Sequence, residues 1–280
     1  MLSLFLAAVI VVPMTLVPAA FADSTSQQTS NVQDTFGNVR TISAFSVGQL
    51  ATAYSLGGLG IGGTSGGTST TTSTTDSIVI NSIQTTSGTV STAPYKLTLA
   101  NFNAGTGSNT LLVVGVDANN NNVASVTFGG TQLTQATASF ANNDAEFWYL
   151  TNPSGTGNIV VTMAGSTSAV VGAYSISGVD LTNPIPTKAA HHSTVSGSPT
   201  ISITTQYPNS LVLDLPSIYG GVTLGSPTGT QNWDLNIANE ITGASSSMVQ
   251  ATAGTATLGW TASGAGDMWD DAAIEIKASG

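Results

Sequence analysis

The chain has 280 residues, with Lys and Arg together numbering 4 and Asp and Glu 14, for a formal net charge of −10. Four basic residues cannot neutralise a phosphate track or hold a polybasic segment on an anionic bilayer, which excludes nucleic-acid binding and electrostatic membrane docking. Cysteine is absent, which removes disulfides, thiol catalysis and cysteine-ligated zinc.

Residues 2–12, LSLFLAAVIVV, form an apolar run of the length found in secretory signals. Pro13 and Pro18 follow, then Ala20-Phe21-Ala22, a small-residue exit that predicts a signal peptide over residues 1–22, cleaved before Asp23; the alternative reading is an uncleaved membrane anchor over residues 2–22. The expected compartment is therefore the outside of a prokaryotic cell, secreted or held at the surface. Residues 23–38 are polar and read as flexible. Residues 39–61 are more apolar, with Ile42, Phe45, Val47, Leu50, Tyr54, Leu56, Leu59 and Ile61, but their period fits neither strand nor helix cleanly. The run 62–75, GGTSGGTSTTTSTT, is low in complexity and defines a linker over 62–77. Its Gly58-Leu59-Gly60-Ile61-Gly62-Gly63 and Gly63-Thr64-Ser65-Gly66-Gly67 matches to nucleotide-binding and nucleophile-elbow patterns lack the strand before and the helix after that those sites need.

From residue 78 to 280 the pattern is that of one large β-sandwich. Short apolar or alternating runs recur, bounded by Gly, Asn, Pro and Ser, and none sustains a helical period. Leu211, Leu213 and Leu215 point to one face while Val212 and Asp214 point to the other. The run Leu111-Leu112-Val113-Val114 does not alternate and predicts a central strand covered on both faces. A weak repeat at an offset close to 100 pairs Asn109-Thr110-Leu111 with Asn209-Ser210-Leu211, and the segment from Gly172 with that from Ala272. It reads as two related halves forming one sandwich in which neither buries a core alone.

The elements from Asn109 to Ser279 resemble a widespread secreted domain of bacterial and archaeal surface proteins. The resemblance is carried by Leu111-Leu112-Val113-Val114-Gly115-Val116, by the run from Val123 to Leu133, by Glu146-Phe147-Trp148-Tyr149-Leu150, by Tyr174-Ser175-Ile176-Ser177-Gly178-Val179-Asp180 and by Ala273-Ile274-Glu275-Ile276-Lys277. It implies an antiparallel jelly-roll sandwich in the style of concanavalin A-like and carbohydrate-binding modules. The family has no settled activity, so the resemblance implies fold and compartment and no catalytic residue.

The candidate chemistry is sparse. His191 and His192 are the only histidines, and as neighbours in a Ser/Thr-rich stretch they read as a solvated loop pair. Asp267, Asp270 and Asp271 flank Trp269, and oxygen-rich loops of that kind hold Ca²⁺; they are the metal-site candidates, although none of the acidic clusters matches an EF-hand loop. Asp117 before Asn119–Asn122 and the Asn142-Asn143-Asp144 cluster are weaker versions of the same pattern. A glycosidase needs two carboxylates facing one another in a groove, and Glu146, Glu240 and Glu275 are the only glutamates. Of four tryptophans, Trp148 and Trp260 lie in strand runs, whereas Trp233 and Trp269 have polar neighbours and are the candidates for exposed sugar-stacking faces. The function expected is a non-catalytic module that binds glycan or another surface component. The alternatives are a structural subunit that self-assembles by donating a strand from residues 39–61, and, less favoured, a glycan-active enzyme.

Overall fold

The computed structural model describes residues 28–33 and 39–44, as backbone only, and residues 77–280 apart from 142, 196, 221 and 264–267. The chain divides into two units, Met1–Thr70 and Thr71–Gly280. In the first, β1 (Gln28–Gln33) pairs antiparallel with β2 (Val39–Ala44). This corrects the flexible reading of 28–33 and makes the start of the apolar stretch a strand; residues 45–61 and the signal and linker segments lie outside the described residues.

The second unit is all β, with no helix among the described residues. Its first half contains β3 (Val79–Val90), β4 (Lys96–Asn103), β5 (Leu111–Ala118), β6 (Val123–Phe128), β7 (Thr131–Gln132), β8 (Thr134–Phe140), β9 (Asp144–Thr151), β10 (Thr156–Met163) and β11 (Thr167–Ser177). Its second half contains β12 (Lys188–Ser193), β13 (Thr200–Thr204), β14 (Ser210–Tyr219), β15 (Leu224–Gly225), β16 (Thr230–Ile237), β17 (Ile241–Gln250), β18 (Thr255–Gly259), β19 (Thr261–Ala262) and β20 (Trp269–Ile276). Every pairing is antiparallel. The first half folds into a five-stranded sheet of order β3-β11-β5-β9-β8 and a four-stranded sheet of order β4-β10-β6-β7. The second half repeats the plan: a five-stranded sheet of order β12-β20-β14-β17-β16, covered by the pairs β13-β18 and β15-β19.

The repeat read in the sequence is thus a repeat of topology, and its register agrees. Leu111 pairs with Ile176 in the first half and Leu211 with Ile276 in the second, each residue 100 positions from its counterpart. One expectation is corrected. The halves do not share a single core; each has its own, and the unit has four layers. Leu99, Phe102, Val126, Ile159 and Val161 pack with Leu112, Val114 and Val171 inside the first half. Ile201, Ile203, Val212 and Leu258, with the neighbouring Ile218, Leu224, Trp260 and Trp269, fill the second. Between the five-stranded sheets lies a further core of Leu111, Val113, Phe147 and Tyr174 against Leu211, Leu213, Leu215 and Ile274. The physical reason is that β5 and β14 are covered on both faces and carry apolar residues on both.

The two inner sheets face one another in reversed strand order, so an approximate twofold axis relates the halves. β5 lies on β14, β3 against β16 and β8 against β12. At the axis the counterparts Gly115 and Leu215 meet: a Cβ on Gly115 would lie 2.7 Å from Leu215 Cδ1. Asn109 and Asn209, which open β5 and β14, both adopt left-handed φ, +58° and +57°. Asparagine tolerates that region, which reconciles the sharp entry with an L-residue.

Candidate functional site

A surface groove sits at the end of the unit where β5 and β14 begin. After β11 and β20 the chain continues into two counterpart segments that bridge one another across the axis, Val179 against Ala278. Asp180 N–H donates to Lys277 O at 2.9 Å and Ser279 N–H to Gly178 O at 2.8 Å. Beside this bridge is a groove of about 590 Å³ lined by Ile78, Asp180, Tyr207, Asn209, Val249 and Lys277 among others. A second hollow of about 490 Å³, with Asn109, Val179, Leu181 and Thr182, shares Asp180, Ser279 and Gly280 with it.

The groove's polar groups are fixed. Lys277 Nζ lies 2.7 Å from Asp180 Oδ2 and 4.2 Å from the centre of the Tyr207 ring, while Thr182 N–H donates to Asp180 Oδ1 at 2.9 Å. The Lys277 ammonium, helped by that backbone N–H, holds the Asp180 carboxyl below its usual range, and Asp180 in turn raises Lys277. The turn that carries Tyr207 is tied down from beneath. Buried Glu275 accepts from Gln206 N–H at 2.9 Å and Tyr207 N–H at 2.9 Å. Sequence reasoning missed this site because Tyr207, Asp180 and Lys277 are far apart in the chain and belong to no spaced motif.

The residues singled out in the sequence lie elsewhere. Trp233 and Trp269 are buried, 7% and 4% exposed, which corrects the expectation that they present stacking faces. Trp233 enters the core between the inner sheets, over Gly172, whose missing side chain leaves it room: a Cβ there would lie 2.3 Å from the indole. Trp269 packs with Trp260, Ile218 and Leu224, and the His191 ring meets it edge-on at 5.1 Å. His191 and His192 are therefore strand residues of β12 and not a loop pair, and His191 Nδ1 lies 3.0 Å from Thr200 O.

Asp270 and Asp271 are adjacent in β20, so their side chains leave opposite faces of the sheet and form no common ligand set. Asp267 lies outside the described residues. Among those described, no group of three or more His, Cys, Asp or Glu side chains is disposed to hold a metal ion. Asp270 faces the first half, where it accepts from Ser139 Oγ at 2.9 Å, Ala141 N–H at 3.0 Å and Asn143 N–H at 2.8 Å. Asp271 and Asp214 serve the other face. Pro216 has no N–H, and the pairing of β14 with β17 is interrupted between Leu213 and Ser217. Asp214 closes that gap by accepting from Ser246 N–H at 2.5 Å, and its other oxygen takes the Trp260 indole N–H at 2.9 Å. Asp271 Oδ1 accepts from Leu215 N–H at 3.3 Å.

Two further carboxyls complete the buried set. Asp144 and Glu146 project from the same face of β9 and share the Val123 N–H, at 3.3 Å each. Glu146 also takes Gln135 Nε2 at 2.7 Å and Trp148 Nε1 at 2.8 Å. These donors suit one shared negative charge, and burial with the adjacent Glu146 pushes Asp144 up to about 10. Asp117 is the exception to the pattern. It is fully buried, neither oxygen has a hydrogen-bond partner, and it occupies the space left by Gly243, where a Cβ would lie 2.1 Å from its Oδ2. Burial, and then the charges of Asp271, Asp144 and Asp214, raise it well above its usual value. Apart from Asp117, these carboxylates tie backbone and core groups together, and none of the set lines the groove.

Comparison with protein families, with curated proteins and with solved structures gave no match for this chain.

Proposed function

We propose that the chain is a non-catalytic module of the cell exterior that binds a neutral, hydroxyl-rich surface polymer, a glycan, in the groove of Tyr207, Asp180 and Lys277. The observation that carries this reading is the composition of that groove. It combines apolar surface from Ile78, Tyr207 and Val249 with one carboxylate–ammonium pair whose charges cancel. A sugar offers the matching chemistry, a C–H face for the apolar wall and vicinal hydroxyls for a paired acceptor and donor. A charged ligand would find no uncompensated charged side chain in that lining. Asp180 is the one carboxylate of the lining, whereas hydrolysis of a glycosidic bond calls for two across a cleft, which favours binding over catalysis. The signal-like start, the scarcity of charge and the resemblance to secreted surface domains support the location.

The test is a glycan array and cell-wall pull-down with the full chain, beside Tyr207→Ala and Asp180→Asn. Binding to a neutral polysaccharide that falls at least tenfold in both variants, with melting unchanged, is the expected result. Binding that survives both substitutions would place the ligand elsewhere, and no binding to any polysaccharide would remove the proposal.

A further inference from the structure

The edges of the two inner sheets are not alike. A terminal strand exposes a row of backbone donors and acceptors, and soluble proteins blunt such edges with charge, bulges or brevity. β12 is 6 residues long and bears Lys188. β8 is interrupted by a bulge between Gln135 and Thr137, and β16 by one between Gln231 and Trp233, with Asp234 beyond it. β3, the counterpart of β12, has 12 residues, VINSIQTTSGTV, and no charge or proline. Among the described residues it is hydrogen-bonded as a ladder to β11 alone. After one irregularity near Asn81 its register with β11 runs unbroken from Ser82 to Val90. Ile83 beside that edge is 38% exposed and Val79 49%.

We infer that β3 is a pairing edge, and that its partner is β3 of a second copy of this chain, laid antiparallel so that two five-stranded sheets join into one across a twofold axis. The chemistry of the strand selects that partner. The chain carries a net charge of −10, so two copies repel over most approaches, but β3 contributes nothing to that repulsion. An antiparallel self-pairing about a twofold axis at Thr86 sets that threonine opposite its own copy and Thr85 opposite Ser87. Thr–Thr and Thr–Ser neighbours of this kind stabilise antiparallel pairs by cross-strand hydrogen bonding. The self-pairing also matches edge length to edge length. Gln84 Nε2 donates to Ala100 O and Ser82 Oγ to Asn103 O, which anchors these side chains to β4, and among the described residues no strand is laddered to the outward edge of β3. The inference is independent of the groove and differs from strand donation by residues 39–61.

The experiment is sedimentation of the full chain over a concentration series. Wild type should form a dimer in reversible equilibrium. Two charged variants, Thr85→Lys with Ser87→Lys and Thr85→Glu with Ser87→Glu, should each be monomeric, and their equimolar mixture should dimerise again. That restoration distinguishes lost pairing from lost folding. Amide exchange of wild type supplies a second measurement, with protection of Ser82–Val90 rising with protein concentration. A wild type that is monomeric at its solubility limit, a dimer that persists in both charged variants, or concentration-independent exchange in β3 would each overturn the inference. A dimer abolished by removing residues 1–61 but kept by the Lys variant would assign the contact to the N-terminal segment instead.

Discussion

Raising the pH should destabilise this protein, and Asp214 gives the effect a magnitude. Burial lifts its carboxyl from 3.8 to about 6, against the opposing hydrogen bonds from Ser246 and Trp260. The folded pKa is therefore above the unfolded one, so between those values the native state holds a proton that the unfolded chain has released. The slope of unfolding free energy with pH is negative there. The stability linked to Asp214 is complete below about pH 3.8, declines as pH rises, and is fully lost above about pH 6. A shift of about 2 units corresponds to about 3 kcal/mol. Asp117, raised by burial and then by the charge of Asp271, and Asp271, raised by burial and then by the charge of Asp214, act in the same direction.

The decisive comparison is wild type against Asp214→Asn by chemical denaturation at pH 4, 6 and 8. Asparagine keeps one acceptor but turns an amide toward the other donor, so at pH 4 the variant should be weaker by about 1–3 kcal/mol. At pH 8 wild type has lost the ionisation term and the variant has not, so the two curves should converge or cross. Loss of the Asp214 charge also relieves Asp271, which flattens the variant further. Parallel curves, or a wild type that is most stable at pH 8, would refute the reasoning.

Asp117→Asn should stabilise the fold at pH 8 and leave it unchanged near pH 4, because its oxygens have no partner to lose; paired melting curves at the two pH values check this. Gly172→Ala drives a methyl into the Trp233 indole and should cost about 1–3 kcal/mol in a urea titration, with a change in tryptophan emission. Trp233→Ala should cost about 3–5 kcal/mol and leave glycan binding of the surviving folded fraction untouched, since the ring is internal. Gly115→Ala should destabilise through Leu215, and Leu215→Ala in the same chain should recover part of that loss, which a double-mutant cycle measures as coupling of about 0.5–3 kcal/mol.

The architecture was legible where pattern is enough. Unbroken apolar runs in Leu111–Val114 marked a strand covered twice, alternation in Leu211–Leu215 gave its faces, and the offset of 100 between like strands reported a duplicated plan. The sites were misread for a reason that follows from the same layering. In a two-layer sandwich, polar neighbours such as Asn232 and Asp234 signal an outward face. With four layers, both sides of an inner sheet are covered, so Trp233 and Trp269 are internal despite their neighbours. Of the aspartates that suggested a cation loop, Asp270 and Asp271 are strand residues that accept from backbone N–H groups of distant strands, which no local pattern shows. The groove assembles residues from three distant turns, and no local pattern announces that.

The meeting of Gly115 with Leu215 is possible only because the halves are not identical. Were the halves separate, identical subunits, each position at the axis would face itself: two leucines would collide, and two glycines would leave a hole. Within one polypeptide that constraint does not hold, because the two copies of the position can differ. Leu215 is the knob and Gly115 the socket. The seam is now a lock whose two parts are encoded a hundred codons apart, so substitutions there are expected to be inherited in compensating pairs.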